Sequence, residues 1–232
     1  MSLEIILENL KDGYKQFVRG TFQHAYQITA ARKIKLNFED YWFCIADGNL
    51  FTVKENEVLW TITREPQNLV LQDIDNAHHQ LTTQGNYFPD AQAAQASVDH
   101  KDSVTVNLNV LKLAKYSNEL GYFVIDPKSV QKLNSQQKKV AQHIYGPDDE
   151  NFGLNMKIFA QKEITPRVYV LLPKYVQDTL NKNNQQFLGR SSLFGSFDDN
   201  SSFYVNNSYM NVEYAMRGVR RTVASQERAS EN

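Results

Sequence analysis

Hydrophobic positions at the start of the chain recur with a helical period. Leu3, Ile6, Leu7, Leu10, Tyr14, Phe17 and Val18 follow the i, i+3, i+4, i+7 rule and form one apolar stripe. Ser2 suits the cap of such a helix and Gly20 its stop. From Thr21 to Gln72 the period shortens. Ile34-Lys35-Leu36-Asn37-Phe38 alternates as a half-buried strand does, and Tyr41 to Ala46 is a continuous apolar run. Asp47-Gly48 has the composition of a tight hairpin turn, and a second turn is expected at Glu55-Asn56-Glu57. With Leu50 to Val53, Val58 to Thr63 and Leu69 to Leu71 as strands, the pattern predicts an antiparallel meander.

Residues 73–88 read as a polar, turn-rich connection. An alanine-rich helix after Pro89-Asp90, a strand from Ser103 to Leu108, a short helix from Val110 to Ala114 and a strand from Tyr122 to Ile125 follow. Asp126-Pro127 opens a further helix, which Asn134-Ser135 divides and Gly146-Pro147 stops. Asp148-Asp149-Glu150 reads as part of an acidic loop, Met156 to Lys162 and Arg167 to Leu172 as strands, and Pro173 as the start of a helix. Residues 181–211 read as a long loop giving way to strands near Ser202–Val205 and Tyr209–Tyr214. The fold class expected from this order is α+β: an N-terminal helix packed on an antiparallel meander, continuing into a mixed α/β section. Residues 1–221 are expected to form one globular domain, with a subdivision near residue 88 as the alternative, and residues 222–232 a polar tail.

Composition narrows the functional classes. The 25 basic and 26 acidic residues give a net charge of −1, so the chain lacks the basic excess that phosphate neutralisation rewards. Nucleic acid therefore ranks behind a protein partner or self-association. Cys44 is the one cysteine, which rules out an intramolecular disulfide and a thiolate cage and points to a reducing, cytoplasmic setting. No apolar run approaches the ~20 residues of a membrane span, and the first residues lack the charge pattern of a signal peptide, so a soluble chain without membrane contact is expected.

The common phosphate-loop, dinucleotide, nucleophile-elbow and zinc-helix motifs are absent from the sequence. Three groups of residues remain as candidates for chemistry. Pro89-Asp90 followed by Asp99-His100-Lys101 resembles the Pro-Asp…Asp-x-Lys arrangement of restriction-type endonucleases. That resemblance implies a metal-dependent nuclease or phosphodiesterase in which Asp90 and Asp99 bind Mg²⁺ or Mn²⁺ and Lys101 activates water. Asp75 and His79 lie at i, i+4 spacing, a carboxylate and an imidazole for a transition metal if the segment is helical.

The third group is a partner-binding surface. Phe194, Phe197, Tyr204 and Tyr209 stand among Asn, Ser and Gly, a composition found at interfaces, and Arg217, Arg220 and Arg221 would share one helix face. The leading expectation is a non-enzymatic interaction or structural component of a larger assembly, such as a phage-type particle or multi-subunit complex, without a cofactor. The nuclease is the alternative, which leaves enzymatic activity open.

Overall fold

The structure is a computed structural model that describes residues 43–64, 67–146, 149–161, 163–197 and 200–206. Eight strands build one mixed sheet in the order β3-β2-β1-β7-β8-β6-β5-β4. They are β1 (Phe43–Lys54), β2 (Glu57–Thr63), β3 (Val104–Asn107), β4 (Ala114–Lys115), β5 (Leu120–Val124), β6 (Arg167–Leu171), β7 (Phe187–Phe197) and β8 (Asn200–Asn206). β6 and β8 pair parallel, and every other pairing is antiparallel. Among the described residues six α-helices accompany them: α1 (Leu69–Gln72), α2 (Ile74–Gln84), α3 (Ala91–Val98), α4 (Ser135–Tyr145), α5 (Asp149–Gln161) and α6 (Pro173–Asn183).

This corrects the expected architecture of an N-terminal helix packed on an antiparallel meander. The front hairpin is not a self-contained layer: β1 pairs on one side with β2 and on the other with β7, more than 130 residues later. Pairing at that range leaves no periodic trace in the local sequence. The helix expected near the N-terminus and the strand at 34–38 lie outside the described residues.

Several local expectations change as well. Asp47-Gly48 is a bulge within β1, where the register against β7 shifts between Ile45 and Gly48, and not a hairpin turn. A Cβ on Gly48 would stand 2.6 Å from Asn68 Oδ1 and 2.7 Å from Thr63 Oγ1, so glycine is needed there for close approach. The hairpin turn is Glu55-Asn56, both at positive φ (51° and 66°), which matches the twist of the flanking strands. Leu69 to Gln72 is helical because Asn68 Oδ1 accepts from the Val70 amide (3.1 Å). The polar run after it is α2. Asp149 and Glu150 open α5, where acidic side chains complement the helix pole, and Met156 lies inside that helix instead of starting a strand.

Alternation along the strands divides the core between the two sheet faces. Phe51, Trp60, Ile62, Val106, Phe123, Val168, Val170, Leu188, Phe203 and Val205 belong to the larger cluster, with Val140, Tyr145, Phe159, Val176 and Leu180 from α4, α5 and α6. On the opposite face Leu50 and Phe187 join Leu69, Val70, Ala77, Tyr87 and Ala94, so α1, α2 and α3 cover the β1–β7 end. Gly189 sits directly under Tyr87, and a Cβ there would be 2.5 Å from Tyr87 Cδ1. Gly189→Ala is expected to cost about 1–3 kcal/mol through displacement of this buried ring, checked by the urea midpoint of the variant.

Both sheet edges are protected. β4 is two residues long and exposes Lys115. The outward groups of β3 are taken by α4: Lys139 Nζ donates to the Thr105 carbonyl (3.1 Å), and the Asn107 amide donates to Gln136 Oε1 (3.3 Å).

Candidate functional site: a tyrosine face on the sheet

At the β8-β6-β5 end one sheet face carries tyrosine, continuous at its edges with the larger core cluster that Leu120, Leu171 and Tyr204 touch. The cause is period-2 alternation: Phe123, Val168, Val170, Phe203 and Val205 point into the core, so Tyr122, Tyr169 and Tyr204 point the other way. Register then sets them in a row, because Tyr122 is opposite Tyr169 and Tyr169 opposite Tyr204. Their ring centroids lie 5.4 and 5.1 Å apart with interplanar angles of 34° and 31°. Tyr116, beyond β4, meets Tyr169 edge-on at 5.1 Å and 73°. Such contacts contribute about 0.5–1.5 kcal/mol each beyond their area.

Arg167 lies two residues before Tyr169 on the same strand face. Its Cζ stands 5.6 Å from the Tyr122 ring centroid, and Nη1 donates to Tyr169 Oη at 3.4 Å. The π-face and the hydroxyl fix the guanidinium against the row. Tyr169 is buried at the centre, Tyr122 and Tyr204 are half-buried, and Tyr116 is 55% exposed beside Val124 at 41%. The arrangement offers contact area with polar rims rather than acid–base chemistry.

The other expected site residues are dispersed. Asp90 caps α3, accepting from the Ala93 amide at 2.9 Å, and Asp99 ends the same helix, accepting from Gln95 Nε2 at 2.9 Å. At 1.5 Å of rise per residue their backbones are roughly 13 Å apart, too far for both carboxylates to reach one ion at about 2.1–2.6 Å. Lys101 is exposed in the turn beyond. The structure thus gives Asp90 and Asp99 capping roles and does not assemble the nuclease-like triad.

Asp75 and His79 both fall in α2 at the expected spacing, with His79 exposed. Among the described residues no three His, Cys, Asp or Glu side chains gather as a metal site. Phe194 and Phe197 lie on β7, with Phe194 in register with Phe203. Tyr209, Arg217, Arg220 and Arg221 lie outside the described residues.

Of the expected partner-binding residues, Tyr204 joins the tyrosine row. Tyr116, Tyr122, Tyr169 and Arg167 were not singled out by sequence. The alternation in Val168-Tyr169-Val170 and Phe203-Tyr204-Val205 carried a signal, but assembling the row requires knowing that β5, β6 and β8 are neighbours.

No protein-family model matches the chain, and no curated protein matches it. A solved structure described as "Accommodation of massive sequence variation in Nanoarchaeota by the C-type lectin fold" is similar in fold. Its TM-score is 0.51 at 11% identity, with 85% of this chain and 86% of that chain covered. The fold is therefore C-type lectin-like, a sheet-rich architecture in place of the expected helix-on-meander. Among the described residues no helix is long and apolar enough to cross a membrane.

Proposed function

We propose that this chain is a binding protein, a component of a larger assembly, that engages a protein partner through Tyr116, Tyr122, Val124 and Tyr204. The observation that supports this reading is the tyrosine row itself: Tyr116, Tyr122 and Tyr204 each packed on the central Tyr169, with the outer rings accessible. Tyrosine gives large contact area at low entropic cost, which is why it is enriched at protein interfaces. The similar structure is described in terms of a fold that accommodates massive sequence variation. A sheet whose core side chains alternate with outward ones has that property here too, because the outward tyrosines can change without moving Phe123, Val168 or Phe203.

The test is affinity capture of the full chain from its native host, followed by binding measurements on the partner recovered. Tyr116→Ala combined with Tyr122→Ala is expected to weaken binding at least tenfold, as loss of central aromatic contacts does. Melting temperature should fall by only a few degrees, because Tyr116 is exposed and Tyr122, half-buried, lies outside the fully buried core. Unchanged affinity in the double variant would exclude this face, and a monodisperse monomer that captures nothing would exclude the assembly role.

A further inference from the structure

α4 covers the β3 edge, and its attachment has two parts. At its start a capping box joins Asn134 and Gln137, while Gln137 Nε2 donates to the Leu111 carbonyl at 2.7 Å and Asn134 Nδ2 to the Val110 carbonyl at 3.0 Å. At its end two contacts hold the last turn: Arg64 Nη2, just after β2, donates to the His143 carbonyl at 2.6 Å, and Asn155 Nδ2 of α5 donates to the Tyr145 carbonyl. The His143 side chain is buried there, and its Nε2 has no hydrogen-bond partner.

Among the described residues the charged surroundings of the His143 ring are sparse. Arg64, the residue after β2, has a field that reaches both this ring and Asp47 in the β1 bulge. β3 carries no titratable residue. On α5, Asp149, Glu150 and Lys157 are exposed, and Asp149 accepts from Gln142 Nε2. On α4 itself Lys138 and Lys139 are exposed.

We propose that α4 is an acid-released cover of the β3 edge, anchored at its capping box and latched by the Arg64 guanidinium on the His143 carbonyl. A proton on His143 would place a second positive charge beside Arg64 on a buried ring whose Nε2 has no hydrogen-bond partner. Burial first, and Arg64 second, hold the imidazole down to about 3 from its ordinary 6.5. For a base shifted down, the closed state's advantage is complete above the ordinary value and is lost as pH falls below it. The ring sits in the last turn before Gly146, so separating that turn exposes it without unfolding the sheet. Release would also withdraw Lys139 from the Thr105 carbonyl, while Gln136 in the anchored first turn stays on Asn107, leaving the Thr105 end of β3 able to pair with another strand.

Asp47 runs the other way. Burial raises its carboxyl to about 6 against the lowering effect of Arg64, so its contribution to folding grows as pH falls from 6 towards 4. Global stability therefore mixes two opposing terms, and the latch has to be read locally.

The experiment is hydrogen exchange with mass spectrometry on the full chain at pH 7 and pH 5, corrected for intrinsic rates. The opening constant of amides in α4 and β3 is expected to rise about 25-fold between these pH values, with β6 and β7 amides changing far less. His143→Gln is expected to abolish most of that rise. An equal rise in His143→Gln, or opening of α4 that leaves β3 protected, overturns the proposal. In the wild-type chain the NMR titration of the His143 ring decides independently of whether the variant folds: no midpoint above pH 5 is expected, and one near the ordinary 6.5 overturns the latch.

Discussion

Trp60→Ala is expected to lower the unfolding free energy by about 4 kcal/mol, the largest effect of any single truncation considered. Trp60 is fully buried in β2 at the middle of the larger core cluster. Its ring stacks on Phe51 across the β1–β2 ladder (6.3 Å, 7°) and tilts against Phe203 of β8 at 6.4 Å. Removing it opens a cavity in contact with three strands, none of which can close without disturbing its own pairing. Trp60 Nε1 also donates to Asn49 Oδ1 (3.0 Å), and Asn49 Nδ2 donates onward to Ser192 Oγ (2.7 Å). Trp60→Phe keeps much of the volume but orphans the Asn49 oxygen, so it should cost about 1–3 kcal/mol. Urea unfolding checks both, with a falling midpoint at constant slope; a loss below about 2 kcal/mol for Trp60→Ala would show that the site collapses around the gap.

Arg190→Ala should cost about 3 kcal/mol, whereas Arg190→Met should be nearly neutral. Arg190 is fully buried on β7, with Nη1 donating to the Gly189 carbonyl (3.0 Å) and Nη2 to Asn86 Oδ1 (2.6 Å). Burial pushes the guanidinium's pKa down, and the Tyr175 phenol and the charge of Glu119 partly offset this. Its Nε is buried without a hydrogen-bond partner. Such a cation is expensive to desolvate and gains only part of that cost back from its contacts. Methionine keeps the packing and removes the charge, while alanine leaves a hole. Asn86→Leu supplies the third arm: it strands Nη2 and should cost about 1–3 kcal/mol, more if the charge cannot find another acceptor. Equal losses for Arg190→Met and Arg190→Ala would mean that the charge itself, through Glu119 and Tyr175, holds this end of β7.

Helix and turn chemistry was readable where one residue type decides the conformation. Asp90 before an alanine-rich run gave α3, Pro173 the start of α6, and Glu55-Asn56 the β1–β2 turn, whereas the helix expected to open at Asp126-Pro127 begins only at Ser135, after a 3-10 turn at Val130–Lys132. Reading failed where polarity or apolar content was shared between helix and strand. The α2 sequence is polar on most faces, so it resembled a loop, and Met156 to Lys162 is apolar enough to pass for a strand until Asp149 and Glu150 are seen as a first helical turn. The nuclease-like spacing failed for a related reason. Carboxylates nine positions apart come together only across a turn, and Ala91–Val98 is a rigid rod instead.

By itself the sequence determined which residues alternate, which helices are capped, and that no thiol chemistry beyond Cys44 is available. Those are consequences of bonds and side chains within a few positions of one another. Only the tertiary structure decided that β7 lies beside β1, that β6 and β8 run parallel, and hence that Tyr122, Tyr169 and Tyr204 form one row. Strand neighbours are chosen by burial of the whole sheet, a sum over residues more than 30 positions apart in each of these pairings, and no local period encodes that sum.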